Sequence, residues 1–402
     1  MKTAGIIAEY NPFHNGHFYH VKQTRAAGYS HIVAVMSGNV VQRSEVACFS
    51  KWTRASAAVK SGVNLVIELP AVYAVASAEK FASAGVSILN GLGLIEGLSF
   101  GSESGDLQEL RRCADACAKI NGSKELAGYL NQGLSFPKAR EKAVEQITGP
   151  EVSRLLRTPN NILSIEYLKA LEATGSSMEP ITFRRKGPGH DSKEFSARYA
   201  SASLIRETLQ QKDIYDLNRF FPEDAFYLFR QDFALKVGGA SMYELTTAVL
   251  YKLRTMTPEE FARLPDVSEG LEYRLCAEAK NAVSIDDFLK RVKTKRYTMS
   301  RLKRIIICAL LNIDKELMET EPPYIRVLAF DSKGKEILRE AKKTASLPIY
   351  HSFAKLQEDF PVLADKEALA TDLFRYACPK IPAGNSEYQD KRPFAIRKGI
   401  HR

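Results

Sequence analysis

Apolar and polar positions follow two alternating rhythms over the first half of the chain. Short, nearly unbroken apolar runs read as buried strands: Ala4-Gly5-Ile6-Ile7-Ala8-Glu9-Tyr10, His31-Ile32-Val33-Ala34-Val35-Met36, Val63-Asn64-Leu65-Val66-Ile67-Glu68-Leu69, Leu98-Ser99-Phe100-Gly101-Ser102-Glu103 and Pro180-Ile181-Thr182-Phe183-Arg184-Arg185-Lys186. Between them, positions recur at helical spacing, as in Phe18, Tyr19, Val21 and Thr24, in the segment from Lys51-Trp52-Thr53-Arg54 to Gly62, and over residues 77–89. Strands and helices alternating in this way predict an α/β protein with a parallel, Rossmann-like sheet. Several strands stop at turn-forming residues: Asn11-Pro12, Ser37-Gly38-Asn39 and Pro70. Ligands of such sheets bind outside the carboxyl ends of the strands, so these stops are where chemistry is expected.

The rhythm breaks twice. Residues 106–147 are helical in pattern throughout and read as an insertion. Beyond Asp213 the alternation ceases, and Phe220, Phe221, Ala225, Phe226 and Phe229 begin a helical periodicity that lasts over residues 217–317. This predicts a mainly helical domain behind the sheet. After Glu321-Pro322-Pro323 come a strand-like run, Tyr324-Ile325-Arg326-Val327-Leu328-Ala329-Phe330, a turn, Asp331-Ser332-Lys333-Gly334, and a basic helix over 335–343. These predict a small α/β tail, whose final residues 379–402, polar and rich in Pro, Arg and Lys, are expected to be loosely held. The expected units are therefore residues 1–212, 213–320 and 321–402, with the clearest boundary at Pro322-Pro323.

Composition adds two constraints. The chain has 402 residues, 45% of them hydrophobic and 26% charged, as in a soluble globular protein, and no apolar run is long enough to span a membrane. The amino terminus enters a strand directly, without the segments of a secretory signal, which points to the cytoplasm. Cys48, Cys113, Cys117, Cys276, Cys308 and Cys378 are scattered, and no second pair or nearby histidine completes a metal set around Cys113 and Cys117. The formal charge of +10, from 57 basic and 47 acidic residues, favours a polyanionic partner.

The most informative stretch is the first. A strand, the turn Asn11-Pro12, then Phe13-His14-Asn15-Gly16-His17 and a helix bring a helix N-terminus and two ring N–H donors to one point, an arrangement that suits a phosphate. His14 and His17 are close enough to reach the same anion, and Gly16 between them lets a nucleotide approach the backbone. Three adjacent cations, Arg184, Arg185 and Lys186, end the fifth strand before Gly187-Pro188-Gly189-His190-Asp191, read as a mobile loop; Arg184 or Arg185 suits phosphate at that position. Asn160 or Asn161 is expected to cap the helix that runs on through Tyr167 and Leu171. Ser201-Ala202-Ser203-Leu204-Ile205-Arg206 opens another helix, with Ser201 or Ser203 as a possible N-cap.

These motifs together resemble the HxGH nucleotidyltransferases and, more narrowly, the bacterial tRNA(Met) cytidine acetate ligases, over nearly the whole chain. The resemblance implies a sheet of the HxGH nucleotidyltransferase type in residues 1–212, holding ATP along Ile7-Ala8-Glu9-Tyr10-Asn11-Pro12-Phe13-His14-Asn15-Gly16-His17-Phe18-Tyr19-His20. It implies a glycine, here Gly101, beside the adenosine, and a polar nucleotide contact from one of Asn160 and Asn161. It also implies that the Ser201–Arg206 turn is a second signature gripping the β- and γ-phosphates; Ser203 stands where threonine is more usual, with the hydroxyl kept. Catalytic roles then fall to His14, His17, Ser201, Ser203 and Arg206. The implied reaction is ATP-dependent activation of acetate to acetyl-adenylate, then acetyl transfer to the wobble cytidine of elongator tRNA(Met). Mg²⁺ is expected to assist, although no carboxylate cluster marks a protein-built metal site.

The densest basic tract suits that partner. From Lys290 it reads Lys-Arg-Val-Lys-Thr-Lys-Arg-Tyr-Thr-Met-Ser-Arg-Leu-Lys-Arg, with eight cations in fifteen residues and no acid. A helix from about Thr298 would turn Leu302, Ile305 and Ile306 inward and leave Arg301, Lys303 and Arg304 largely outward, beside Lys293, Lys295 and Arg296. Tyr297 could stack on an unpaired base. The rival readings are an adenylyltransferase or pantothenate-synthetase-like ligase of small molecules, and a non-catalytic RNA-binding protein regulated by a nucleotide.

Overall fold

The computed structural model describes residues 1–187, 198–381, 383–384, 386–389 and 394–395. The loop residues Pro188, Gly189, His190 and Asp191 and most of the last stretch lie outside the described residues. Six strands form the body of the central sheet: β1 (Thr3–Ala8), β2 (His31–Ser37), β3 (Leu65–Leu69), β4 (Gly97–Ser102), β5 (Glu179–Arg184) and β6 (Ile325–Phe330). Their spatial order is β6-β3-β2-β1-β4-β5, extended at the β6 edge by the short pairs Ile349–Tyr350 and Phe394–Ala395. The first five strands are mutually parallel, and β1 to β3 are almost wholly buried, as a sheet covered on both faces requires.

The chain order reverses between β1 and β4, which is the topological switch point of the sheet. There the two strands pair only at Ala4 with Gly97 and at Gly5 with Leu98. No ladder pairs continue between them toward their carboxyl ends. The crevice this leaves is entered by α1 (Asn15–Ala26), whose Thr24 hydroxyl lies 2.7 Å from Ser99 Oγ of β4.

Flanking helices include α2 (Lys51–Lys60), α3 (Ala78–Gly91), α4 (Pro159–Ala173), α5 (Ala202–Leu209) and α6 (Met299–Leu311). Between β4 and α4, the expected insertion consists of Leu107–Ile120, Lys124–Asn131 and Phe136–Thr148, with a further turn, Pro150–Ser153. Helices also fill the region after α5, among them Glu223–Ala234, Thr246–Thr255, Leu271–Asn281 and Ile285–Val292.

One expectation needs correction: the strand after Pro322-Pro323 joins the central sheet as β6 and does not form a separate α/β tail. β6 pairs antiparallel with β3, Val66 opposite Ala329 and Ile67 opposite Val327. The reason lies in a buried charge cluster that joins both ends of the chain. Lys51 is 0% exposed, with Nζ 2.7 Å from Glu68 Oε1 and 2.8 Å from Glu387 Oε1. Arg326 of β6 pairs with Glu68 at 2.8 Å and also with Glu387. Glu367 lies beside them and accepts from the amide of Ala71. Burial, then the charge of Glu68, drives the Glu367 carboxyl well above the usual carboxylate range. Burial opposes ionisation of Glu387 as well, but Arg326 and Lys51 outweigh it and hold that group down to about 2. Lys51 and Arg326 therefore face Glu68 and Glu387, with Glu367 beside them. Isolated buried ions are costly, and the paired set commits the carboxyl-terminal segment to the sheet.

Candidate active site

The corner after β1 is held from beneath. Tyr10 takes a left-handed backbone conformation, with φ 47°, and Asn11–Pro12 is a cis peptide. Tyr10 and Phe13 are buried and meet edge to face with centroids 4.8 Å apart, and the Tyr10 ring lies 4.9 Å from that of His17. Burying rings of this size contributes roughly 2–3 kcal/mol each. That exceeds the order of 1–3 kcal/mol that a strained backbone costs. Arg54, fully buried on α2, donates to the carbonyls of Glu9 at 2.7 Å, Ser37 at 3.1 Å and Phe49 at 2.9 Å, and also to Gly38. One guanidinium thus satisfies carbonyls at the carboxyl ends of β1 and β2.

The two histidines cap α1 reciprocally. His14 is the N-cap residue; its Nδ1 accepts from Gly16 N at 2.9 Å, while Nδ1 of His17 accepts from His14 N at 3.3 Å. Each ring, when neutral, therefore carries its proton on Nε2. The rings lie 4.0 Å apart and tilted by 31°. A Cβ on Gly16 would sit 2.7 Å from His14 Cε1, so a side chain there would displace the ring. Burial, followed by the positive potentials of His14, Arg185 and His20, pushes the His17 ring well below 6.5; the Pro12 carbonyl opposes this without cancelling it. His20 is lowered to about 4 by burial and Arg185, and its Nε2 lies 2.8 Å from Ser99 Oγ. At neutral pH these are uncharged rings, able to donate an N–H to a phosphate oxygen.

Arg184 and Arg185 separate here. The Arg185 side chain runs along Gly101, where its Cγ would be 3.2 Å from an added Cβ, and its charge acts on His17 and His20. Arg184 instead sits against Gly105 in the loop beyond β4. Gly101 lies within β4.

The second stretch also converges on the corner. Ser201 caps α5, accepting from Leu204 N at 3.1 Å, and Ser203 stands in the first turn. Arg206 donates to the Asn11 carbonyl at 2.9 Å and lies 3.6 Å from Glu45, which Lys303 of α6 also reaches at 2.9 Å. Burial would raise the Glu45 carboxyl, but Arg206, Lys303 and Arg43 together hold it below its ordinary value. Asn15 Nδ2 donates to the carbonyls of Arg198 and Arg219, both at 2.9 Å, tying the residue between the histidines to the chain on either side of α5.

Asn160 and Asn161 do not cap α4; Thr158 occupies the N-cap, and the two asparagines lie in the first turn. Glu103 takes over the capping role, because its carboxylate accepts from Asn161 N at 2.7 Å and from Asn160 N at 3.2 Å. It also accepts from Asn160 Nδ2 at 2.6 Å. The buried Asn161 returns the bond, accepting from the amides of Glu103 and Ser104 at 3.0 and 3.2 Å. The pair thus fixes the loop at the end of β4, with Asn160 the more open of the two.

The basic tract is corrected at two residues. Arg304 does not face outward: it is buried, donates to the Val75 carbonyl at 3.1 Å and pairs with Asp266. Tyr297 is buried, with the Arg301 guanidinium 5.0 Å from its ring centre, and does not present a face to a base. Arg301 itself bonds the Asp266 carbonyl at 2.7 Å and Ser268 at 3.1 Å. Lys293, Lys295 and Arg296 lie at the surface or close to it, and Arg296 is 3.7 Å from Glu269.

Neither Arg54 nor Glu103 is singled out by the sequence; the signal available for Glu103 is its place just beyond the fourth strand, and nothing local distinguishes Arg54.

A 3-2-1-4-5 parallel sheet with paired histidines at its switch point, Arg185 and Arg206 converging on them, is the arrangement of a HIGH-type nucleotidyltransferase, and the HIGH Nucleotidyl Transferase family matches residues 1–390. Within that class the chain belongs to the tRNA(Met) cytidine acetate ligase family. It is 42% identical over 385 residues to the tRNA(Met) cytidine acetate ligase of Thermoanaerobacter sp. (strain X514), covering 94% of this chain and 96% of that one. With the ligase of Clostridium perfringens it shares 35% identity over 405 residues, covering 96% and 98%. The apo crystal structure of Thermotoga maritima TmcAL superposes with a TM-score of 0.92 at 32% identity, covering 99% of this chain and 100% of that chain. The TmcAL structure bound with alpha-thio ATP gives 0.90 at 31% identity, with the same coverage.

Proposed function

We propose that this chain activates acetate with ATP and transfers the acetyl group to N4 of the wobble cytidine of elongator tRNA(Met), giving N4-acetylcytidine. One observation carries the chemistry: backbone amides occupy Nδ1 of both His14 and His17, which puts the proton of each ring, when neutral, on Nε2 as a donor suited to a phosphate oxygen. Attack of the acetate oxygen on the α-phosphorus forms the acyl–phosphate bond and expels pyrophosphate. Charge grows on the phosphate oxygens, where preset N–H donors and cations lower the barrier most. His14, His17, Arg185 and Arg206 take that role, with Ser201 and Ser203 at the α5 turn beside the β- and γ-phosphates. The segment Ile7 to His20, Gly101 and Asn160 would line the nucleotide.

The cytidine amine then attacks the acetyl carbonyl and AMP departs. This step asks the protein for positioning, with the base drawn out of its stack. Among the described residues no set of three His, Cys, Asp or Glu side chains converges to hold a metal ion. Mg²⁺ is proposed to assist the activation of acetate. Lys293, Lys295 and Arg296, on the surface of the helical region over 213–320, are the cations proposed to meet the RNA backbone.

The deciding assay is nucleoside analysis of methionine tRNA after incubation with the protein, ATP and acetate. N4-acetylcytidine at the wobble position is the expected product. Pyrophosphate exchange that responds to another acid and not to acetate would assign the chain to a small-molecule ligase, and tRNA binding without exchange would leave a binding protein.

A further inference from the structure

Tyr297 is buried and offers no stacking face to an unpaired base. A different element supplies one. Tyr215, on the 3₁₀ helix Ile214–Phe220, and Tyr227, on the helix Glu223–Ala234, are 56% and 48% exposed. The Arg230 guanidinium lies between them, 5.9 Å from the Tyr215 centroid and 5.4 Å from that of Tyr227. Tyr215 is braced from behind by Phe226 at 6.0 Å, edge to face, and Phe226 packs against the core that also contains Tyr10 and Phe13. The platform is therefore rigidly backed.

Its position matters as much as its chemistry. Asn15, between the two histidines, holds the Arg219 carbonyl, and Tyr215 begins the same 3₁₀ turn four residues earlier. At a rise of about 2 Å per residue, roughly 8 Å separates that anchor from Tyr215 along the helix axis. A base held at the histidine corner would have its flanking nucleotides within reach of these rings. The patch is not a trap for phosphates: Arg219 and Arg230 are offset by Asp216, Glu223 and Asp224 close by in sequence. Rings and a stacked guanidinium with little net charge suit the face of a base.

We infer that Tyr215, Arg230 and Tyr227 form a stacking platform for unpaired bases of the RNA substrate, next to the nucleotide being modified. The inference rests on the proposed function for the identity of that RNA. Binding of methionine tRNA to the full chain, measured over a series of salt concentrations, tests it. Tyr227→Ala and Tyr215→Ala should each weaken binding about tenfold, Tyr227→Phe should not, and the slope of log K against log salt should stay unchanged because no phosphate contact is lost. Acetate-dependent pyrophosphate exchange should be untouched in all three. Unchanged affinity in both alanine variants would overturn the platform, as would a loss that comes with a shallower salt slope, or no tRNA binding by the unaltered chain. Binding intact but no acetylation by the unaltered chain would sink the proposed reaction and leave the platform standing.

Discussion

The guanidinium of Arg206 donates to the carbonyl oxygen of Asn11 at 2.9 Å, although 195 positions separate the two residues. The contact places the cation of one signature against the turn that sets the histidines of the other. Arg206→Ala should lower acetate-dependent ATP–pyrophosphate exchange by about 10²-fold, the loss typical of removing one preset electrostatic contact. Arg206→Lys should recover little, since a single ammonium cannot serve the carbonyl and a phosphate in a fixed fork. Exchange at the unaltered rate in the alanine variant would remove Arg206 from the site.

His17→Ala should reduce exchange by 10²-fold or more, by the same scale of effect, and should leave tRNA affinity within twofold of the unaltered chain. The split between the two measurements is the test. A variant that binds tRNA poorly as well would mean that the corner shapes the RNA surface too.

Protonation of His20 gives a pH dependence of stability with a definite sign. The unfolded ring takes up a proton near 6.5, whereas the folded ring, lowered to about 4, stays neutral. Between those values the unfolded chain binds the extra proton, so stability falls as pH falls, by at most about 1.4 kcal/mol per pH unit from this group. Above pH 6.5 it contributes no slope. Urea unfolding at pH 7 and pH 5 should show the loss, and His20→Gln, which keeps a partner for Ser99, should make it smaller.

The buried charge cluster predicts two opposite outcomes for neighbouring glutamates. Burial and the charge of Glu68 push the Glu367 carboxyl toward its neutral form, so Glu367→Gln, which keeps that shape, should cost under about 1 kcal/mol. Glu387→Gln removes an anion facing Lys51 and Arg326, which should cost about 3–5 kcal/mol. Chemical denaturation of the two variants distinguishes them. Equal losses would mean that Glu367 is ionised after all.

Charge reversal at Lys293, Lys295 and Arg296 should weaken tRNA binding and flatten its salt dependence by roughly 0.7–0.9 per lost phosphate contact, with exchange preserved. Arg304→Glu belongs to another class. It breaks a buried pair with Asp266 and should destabilise the fold by about 3–5 kcal/mol, a loss visible in denaturant midpoint before any binding is measured.

What could be read from the chain alone divides along one line. The five parallel strands and the histidine corner are written locally, in apolar runs and a contiguous motif. The antiparallel placement of β6 is not, because its partner β3 lies more than 250 positions away and no periodicity encodes that meeting. The same holds for Arg304, turned inward by Asp266 38 positions upstream, and for Asn160 and Asn161, whose capping role passes to Glu103 57 positions before. One clue was present and unused. Glu68 interrupts the apolar run of β3, and an acid in a strand buried on both faces demands a cation somewhere in the fold.

The meeting of β6 with β3 also has a consequence for biosynthesis. During translation Lys51 and Glu68 emerge early, yet Arg326 and Glu387 follow only after more than 250 further residues. The catalytic half must wait, partly assembled, for its last strand. A nascent chain stalled before residue 325 should therefore remain open to protease where the released protein resists it.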